Sequence, residues 1–377
     1  MSQSSSRHTL VIVGAGAGGL SVAASLKRAR PELDIALIDP AEFHYYQPAW
    51  TLVGGGSYRI EATRRRMADL IPHGVRHVVA AVTGFEPAAQ QVLLADGQRI
   101  GYQVLVVAAG LQLDWHKIAG LTETLGKNGV SSNYRYDLAP YTWQCIESLR
   151  GGTALFTQPA MPIKCAGAPQ KALYLAADQF RRAGVAVQSH FYTPGPALFG
   201  VPFYAQALDK VVAHYGIAAH FGHQLVAVDG PSRMATFEVG PERQRVTQGF
   251  DFLHVVPPQS APDFIKRSPL ADTSGWMAVD KHTLQSTVHP DIFGLGDCTT
   301  TPNSKTAAAV RAQVPVVVAN VLCQLLGSGT DARYDGMPAA RSPLRAARSC
   351  SPSSATTAWS RPAFRSTRAC RVAATGL

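Results

Sequence analysis

The first forty residues alternate between a strand-like and a helix-like pattern. Residues 8–14, HTLVIVG, are almost wholly apolar, which predicts a strand covered on both faces. An amphipathic stretch, LSVAASLKRA, predicts a helix, and DIALID predicts a second strand that ends at Asp39. Because strands that alternate with helices favour parallel pairing, this region predicts a βαβ unit.

A glycine-rich loop, GAGAGG, joins the first strand to the first helix. Gly14 permits a tight turn, Gly16 lets the backbone approach a pyrophosphate, and Gly19 allows close packing of helix on strand. The N-terminus of the helix offers free N–H groups to the phosphates. A carboxylate twenty residues beyond the loop is placed to bind ribose hydroxyls. A plain glycine-rich turn is the alternative, which the register of strand, helix and acid disfavours. The predicted dinucleotide-binding residues are Gly14, Gly16, Ala17, Gly18, Gly19 and Asp39.

Two later segments favour FAD over a nicotinamide cofactor. HPDIFGLGDC places a short apolar strand before Gly296 and Asp297, whose carboxylate is predicted to hold the ribitol chain. An ordinary β-turn aspartate is the alternative. LVVAAGLQLD predicts a strand that closes on Ala109 and Gly110, where the chain leaves the FAD domain. The FAD domain is therefore predicted to be discontinuous, formed by residues 1–115 and 281–336, with a second domain inserted at 116–280.

The segment SKTAAAVRAQVPVVVANVL predicts a helix that opens at Lys305 and Thr306. Its N-terminus is predicted to face the pyrimidine side of the flavin, where negative charge develops on reduction. Lys305 and the helix dipole then stabilise an anionic reduced flavin. A solvated lysine at a helix start is the alternative. Pro315 predicts a kink or a broken turn inside this helix.

The inserted region predicts a second dinucleotide-type unit that lacks a glycine loop. GGTALFTQP reads as a strand, ALYLAADQFRRAG as a helix and VAVQSHFYT as the next strand. The connection AMPIKCAGAPQK has two prolines, Lys164 and Cys165 where GxGxxG would stand. We therefore expect that NAD(P)H is not the electron donor. Lys164 and a helix that begins near Gly167 favour the thiolate of Cys165, while a loop cysteine without a role is the alternative.

Composition excludes several other classes. The net charge is +10, but residues 337–377 hold seven arginines and no Lys, Asp or Glu, which leaves +3 for residues 1–336. Nucleic-acid binding is therefore unsupported. No run of about 18 apolar residues occurs, so no membrane-spanning helix is expected, and the start of the chain has no signal-peptide pattern. Six cysteines at irregular spacings predict neither a metal site nor a structural disulfide framework.

The chain resembles the sulfide:quinone oxidoreductases, in the subgroup that includes the mitochondrial enzymes. The resemblance rests on HYYQPAWTLVGGG, PIKCAGAPQKALYL and FGLGDCTTTPNSKTAAAV, within a match from about residue 9 to Gly336. It implies an α/β fold with two dinucleotide-binding, Rossmann-like domains, and FAD as cofactor. It implies that Asp39, Gln47, Val82 and Asp297 contact FAD.

The same resemblance implies the partners and the chemistry. Sulfide is the donor, a small acceptor removes the sulfane sulfur, and a membrane quinone takes the electrons. Cys165 is one of two redox cysteines, which form the disulfide that hydrosulfide attacks. The protein attaches peripherally to the cytoplasmic or matrix-facing side of a membrane. A type II NADH:quinone dehydrogenase-like flavoprotein is the other enzymatic interpretation, which the missing glycine loop disfavours.

The resemblance ends at Gly336, before the Cys-Pro-Leu segment that carries the family's second redox cysteine. The segment that follows is rich in Ala, Arg, Ser and Pro, without sustained periodicity, and is predicted to be disordered. Reading one base earlier, with permitted synonymous codons, places Cys-Pro-Leu in the register of Ala340. We therefore hypothesise a single-base deletion at the Gly336 codon. As printed, the chain is expected to be soluble and impaired, or a non-catalytic FAD-binding remnant.

Overall fold

The computed structural model describes residues 6–328 and 330–336. The predicted disordered and frameshifted tail, residues 337–377, lies outside this part of the chain. The helices are α1 Ala17–Ala29, α2 Trp50–Gly54, α3 Leu121–Thr124, α4 Leu138–Ser148, α5 Ala168–Ala183, α6 Pro202–His214, α7 Asp263–Lys266 and α8 Ala307–Leu325. The strands are β1 Ser6–Val13, β2 Ile35–Ile38, β3 Phe43–Tyr45, β4 Arg64–Arg66, β5 Val75–Val78, β6 Val82–Glu86, β7 Gln91–Leu94, β8 Arg99–Val107, β9 Gln112–Leu113, β10 Val130–Ser131, β11 Gly152–Thr157, β12 Val187–Thr193, β13 Ala218–Phe221, β14 His223–Asp229, β15 Met234–Val239, β16 Gln244–Gly249, β17 Phe252–His254, β18 Gln259–Ser260 and β19 Ile292–Gly294.

A seven-stranded sheet forms the first lobe. Its order is β5-β2-β1-β8-β7-β6, and β19 pairs with β8. Strands β5, β2, β1, β8 and β19 pair in parallel, whereas β6 and β7 are antiparallel additions at one edge. Along β1, Leu10 and Ile12 pack into a core with α1 and α8, and Val11 and Val13 pack into the core on the opposite face. The apolar run at the start of the chain is therefore covered on both faces, as predicted.

A second lobe is built around a parallel sheet of five strands. The order is β10-β17-β11-β12-β13, and β14, β15 and β16 form a separate antiparallel meander. Helix α5 connects β11 to β12, as the βαβ pattern of the sequence predicted. Phe156 and Leu173 are fully buried between this sheet and α5. The predicted α/β class with parallel sheets is confirmed.

The two lobes meet at a short antiparallel pair. Leu113 of β9 pairs with Gln259 of β18, so the chain leaves and re-enters the first lobe side by side. Beyond β18, Ala261, Ile265 and Met277 are buried in the core beneath the seven-stranded sheet. We therefore propose that the first lobe resumes near residue 261, about twenty residues before the predicted boundary at 281.

Helix α8 is, within the described residues, the one helix that is long and apolar enough to cross a membrane by length and composition. Val317 and Val321 of this helix are buried against α1 and β1. The buried side chain of Asn320 donates hydrogen bonds to the carbonyls of Thr283 and Ala332. These contacts pack one side of α8 against the first lobe, and about a third of its apolar stretch is buried. The helix also continues through Pro315 without a broken turn.

Candidate active site

The glycine loop takes the tight course that its sequence predicts. Gly14 has a φ of +99°, and a Cβ there would lie 2.6 Å from the carbonyl oxygen of Ala108. A Cβ on Gly19 would lie 1.9 Å from the carbonyl oxygen of Gly14, so both positions require glycine. A Cβ on Gly16 would meet no atom within 4 Å. The loop is therefore closed on its protein side and open on the side where Gly16 faces outward.

The N-terminus of α1 adds to the fit of this loop for a phosphate. The helix begins at Ala17 with Gly16 as N-cap, and its first turn, which includes Gly18, has no acidic side chain. No side-chain hydrogen bond caps this end of the helix. Its first N–H groups therefore remain available to a pyrophosphate, which the positive end of the helix dipole favours.

The carboxylate of Asp39 lies at the end of β2, directly beside the loop. It accepts hydrogen bonds from the N–H groups of Ala15, at 2.6 Å, and Ala41, at 2.8 Å. These bonds hold the glycine loop against the carboxyl end of the sheet. Each carboxylate oxygen keeps a second lone pair with which to accept a bond from a ribose hydroxyl.

Three other predicted cofactor residues are Ala109, Gly110 and Val82. Ala109 and Gly110 follow β8, and a Cβ on Gly110, which has a φ of +69°, would meet no atom within 4 Å. Val82 opens β6, is half-buried and packs against the same apolar cluster as Ala109. Ala109 lies beside the glycine loop, since a Cβ on Gly14 would lie 3.0 Å from the Cα of Ala109.

Asp297 lies in a turn of 3₁₀ helix, Gly296–Cys298, immediately after β19. Burial raises the pKa of its carboxyl, and the ammonium groups of Lys305 and Lys164 oppose that rise. Asp297 is half-buried, and its carboxylate accepts no hydrogen bond from the described protein, so both oxygens are free to accept bonds from the hydroxyls of a ribitol chain.

Lys305 is buried, with 7 % of its surface exposed, so the alternative of a solvated lysine is wrong. Its Nζ donates to the carbonyl oxygens of Asp297, at 2.7 Å, and Thr299, at 3.0 Å. It also lies 3.7 Å from the ring centroid of Trp276, a cation–π contact. Burial lowers the pKa of Lys305, opposed by the charge of Asp297. These contacts fix the turn that carries Asp297.

Thr306 is the N-cap of α8. Its Oγ1 accepts a hydrogen bond from the N–H of Ala309 at 3.1 Å. A side-chain oxygen at this position satisfies one of the free N–H groups of the first turn. The start of α8 is thereby fixed directly after Lys305, where the sequence predicted it.

Cys165 lies in the loop between β11 and α5 and is half-buried. Its φ is +50°, in the left-handed region that residues other than glycine rarely adopt. Its N–H donates to the carbonyl oxygen of Lys305 at 2.7 Å, and its own carbonyl accepts from the N–H of Ala168 at 2.7 Å. The strained cysteine is thus fixed between the starts of α5 and α8, which bring the two lobes together.

Lys164 extends from the same loop across the junction of the lobes. Its Nζ donates to Oε1 of Gln47 in the first lobe and lies 5.4 Å from the ring centroid of Tyr134. Burial lowers the pKa of Lys164 to about 8, while the charges of Asp297 and Cys165 favour its ammonium form. Its backbone N–H donates to Oε1 of Gln259 at 2.8 Å.

The structure therefore brings the predicted catalytic and flavin-side residues to one junction. Three further residues at this junction were missed from the sequence: Tyr134, whose hydroxyl donates to the carbonyl of Lys164 at 3.2 Å, Gln259 and Trp276. Each contacts the site through a lysine that is distant in the chain. No local pattern marks such a contact.

Cys145 and Cys298 lack the setting of Cys165. Burial raises the pKa of Cys145, and burial raises that of the fully buried Cys298 to about 11. None of the four cysteines in the described part of the chain forms a disulfide. Within the same residues, no group of three or more His, Cys, Asp or Glu side chains could hold a metal ion.

The two carboxylates give a direct test of the cofactor site. We expect Asp39→Ala and Asp297→Ala each to weaken FAD binding by about 1–3 kcal/mol, since ribose or ribitol hydroxyls and nearby donors lose their acceptor. Flavin retained after dialysis, followed by its absorbance, measures the effect. Asp96→Ala, in the exposed turn after β7, is the matched control. Full flavin retention by both site variants would contradict this placement.

Comparison with known proteins shows the family of this chain. Residues 8–141 match the family model described as pyridine nucleotide-disulphide oxidoreductase. The chain is 44% identical to the mitochondrial sulfide:quinone oxidoreductase of Dictyostelium discoideum, over 87% of this chain and 73% of that protein. It is 38% identical to the mitochondrial sulfide:quinone oxidoreductase of Mus musculus, over 87% and 74%.

Solved structures show the same fold. The sulfide:quinone oxidoreductase of Aquifex aeolicus superposes with a TM-score of 0.73 and 20% sequence identity, covering 86% of this chain and 78% of that chain. The predicted cofactor, FAD, is that of these flavoproteins, and the glycine loop and the two carboxylates fit it. The chain is an FAD flavoprotein, and it belongs to the sulfide:quinone oxidoreductase family.

Proposed function

We propose that this protein oxidises sulfide to sulfane sulfur and passes the electrons through FAD to a membrane quinone. The observation that carries the proposal is the position of Cys165. The cysteine occupies the β11–α5 loop, where a nicotinamide-binding domain would have its glycine loop. Relatives that share most of this chain are named for the same reaction.

The β11–α5 loop offers little to the phosphates of NAD(P)H. Ile163 is fully buried, the N–H of Lys164 is bonded to Gln259, and the N–H of Cys165 is bonded to Lys305. These N–H groups are already satisfied within the protein, so they cannot turn towards a pyrophosphate. The geometry therefore supports a cysteine thiol, and not NAD(P)H, as the group that gives electrons to the flavin. It disfavours the type II NADH dehydrogenase-like alternative.

The proposed chemistry is thiol–disulfide exchange. Hydrosulfide attacks a disulfide between Cys165 and a second cysteine, which breaks the S–S bond, forms one persulfide and releases one thiolate. A small acceptor removes the sulfane sulfur from the persulfide, which leaves two cysteine thiols. Their oxidation back to the disulfide releases two electrons and two protons, and FAD, which the glycine loop, Asp39 and Asp297 would hold, would supply the two-electron acceptor between these thiols and quinone. The second cysteine is the one that the shifted reading frame restores.

The two lysines are proposed to have different roles. Lys305 has two protons engaged by backbone carbonyls, so we propose that it positions the Asp297 turn rather than acting directly on the flavin. Lys164 lies within electrostatic reach of both Cys165 and Asp297. We propose that its ammonium group stabilises the thiolate of Cys165.

These roles predict different phenotypes. Lys164→Gln should slow sulfide-dependent flavin reduction while FAD stays bound, whereas Lys305→Gln should release FAD. Because the lowered pKa of Lys164 is about 8, its charge is lost as the pH rises through that value. The reduction rate of the parent should therefore fall above about pH 8, and Lys164→Gln should remove that limb. A rate profile with an unchanged alkaline limb in Lys164→Gln would refute the assignment.

Stopped-flow reduction tests the proposed donor. In protein with the frame restored after Gly336, sulfide should bleach the flavin absorbance, and equimolar NADH or NADPH should not. Dithionite, which reduces bound flavin without a protein donor site, controls for accessible FAD. Rapid bleaching by micromolar NADH would instead support the dehydrogenase alternative.

We further propose that the protein attaches peripherally to the cytoplasmic or matrix-facing side of a membrane, because its proposed acceptor is dissolved in lipid. A small sulfur acceptor is proposed as the remaining partner. The printed chain is proposed to bind FAD but to turn over weakly, as an impaired enzyme or a non-catalytic remnant. Its sequence to Gly336 contains the cofactor site and Cys165 but not the Cys-Pro-Leu segment.

A further inference from the structure

A basic surface lies in the segment 43–66, beside the redox loop. Strand β4, Arg64–Arg66, is exposed at all three of its residues and pairs with β3 at the edge of the first lobe. Arg59 precedes it and is 87% exposed. The segment contains four arginines and one carboxylate, that of Glu61. Its charge therefore favours an anionic partner.

Three large side chains with apolar surface are exposed on the same segment. Tyr46 is 60% exposed, Leu52 is 44% exposed and Tyr58 is 46% exposed. In α2, Trp50 and Val53 are buried against α4, so Leu52 lies on the face turned away from the protein. Leucine and tyrosine next to arginine is the composition of protein surfaces that rest in a lipid headgroup layer.

The segment also contacts the redox site. Gln47, between Tyr46 and Leu52, accepts the hydrogen bond from Lys164, the residue before Cys165. Arg64 lies over the rings of Phe43, at 4.5 Å, and Tyr136, at 5.5 Å. The segment that carries the basic surface is therefore in direct contact with Lys164, which precedes the redox cysteine. A lipid surface placed there would bring a lipid-soluble acceptor close to it.

We propose that segment 43–66 is a membrane-docking surface that binds anionic phospholipid headgroups and inserts Leu52 and the two tyrosines among them. This inference rests on the proposed function, since it assumes an acceptor dissolved in the membrane. Arginines near an anionic leaflet attract its headgroups, and the apolar side chains add burial that a purely electrostatic contact would lack. An acidic nucleic acid would match the arginines but would leave Leu52 without a partner.

Vesicle sedimentation with two matched double variants tests the proposal. Arg65→Gln/Arg66→Gln removes two exposed charges from the segment, and Arg243→Gln/Arg245→Gln removes two exposed charges from the β15–β16 hairpin. The arginines after Gly336 remain in every protein and contribute equally. On phosphatidylcholine vesicles that contain phosphatidylserine, the first variant should bind about thirtyfold more weakly than the parent, at about 1 kcal/mol per arginine. The hairpin variant should bind within about twofold of the parent.

A second variant separates docking from simple charge attraction. Leu52→Ser/Tyr58→Ser keeps every arginine and should still weaken vesicle binding several-fold. The proposal is overturned if the parent fails to bind these vesicles, if both arginine variants lose equal affinity, or if the loss occurs on a DNA duplex and not on vesicles. Sulfide-dependent flavin bleaching without vesicles should be unchanged in Arg65→Gln/Arg66→Gln. Failure of docking is therefore distinguishable from failure of the proposed reaction.

Discussion

Cys165→Ser should lower the rate of sulfide-dependent flavin reduction by at least about three orders of magnitude, the scale of removing a catalytic nucleophile. A serine hydroxyl forms neither a disulfide nor a persulfide, so hydrosulfide has no sulfur to attack at this position. FAD should stay bound, because the glycine loop, Asp39 and Asp297 are untouched. Stopped-flow absorbance of the flavin, in protein with the restored frame, measures the rate.

Cys145→Ser is the matched control for this variant. Cys145 is a half-buried thiol on α4 whose pKa is raised by burial, and its replacement should leave the rate within about twofold. Serine has the same backbone preferences as cysteine at a positive φ, so Cys165→Ser should also fold normally. Normal turnover by Cys165→Ser would show that the electrons enter by another route.

Restoring one base at the Gly336 codon should raise sulfide:quinone turnover from near background to that of an active enzyme. The reason is chemical: exchange at Cys165 needs a second sulfur, and the shifted frame places Cys-Pro-Leu in the register of Ala340. The chain shortly before this register is held in place, because the N–H of Tyr334 donates to the carbonyl of His282 at 2.7 Å. Turnover with a soluble quinone analogue measures the rescue.

A serine in place of the restored cysteine controls for this experiment. That variant has the repaired frame and its full downstream sequence but lacks the second sulfur, so it should remain as slow as the printed chain. Resequencing the gene gives an independent answer. A stop codon soon after Gly336 in the shifted frame, or robust turnover by the printed chain, would contradict the hypothesis of a single-base deletion.

The glycine loop was predictable because its constraints are local. Gly14 must turn tightly under Ala108 and Gly19 must lie close to Gly14, and both requirements follow from backbone sterics over a few residues. The strand before the loop is equally predictable, because a strand that is buried on both faces has a continuous apolar run in its sequence. The βαβ unit of the second lobe was found by the same periodicities.

The contacts of Lys305, and the point at which the chain returns to the first lobe, depend on residues that are distant in the sequence. A lysine before a helix reads as a solvated or a flavin-facing side chain, and only the fold shows that Trp276 and two carbonyl groups surround its Nζ. The proposed return to the first lobe follows β18, a strand of two residues, which is too short to produce a period in the sequence. Both features are set by tertiary contacts that no local rule contains.

The left-handed backbone at Cys165 has a consequence for how this position changes over evolutionary time. Holding a side chain at a φ of +50° costs about 1 kcal/mol or more relative to glycine. Selection for the proposed reactivity of Cys165 would oppose this cost. In a lineage that no longer uses the thiol, glycine or asparagine at this site would be favoured by stability alone. The residue at this position is therefore a marker by which lineages that keep the chemistry can be told from those that keep only the fold.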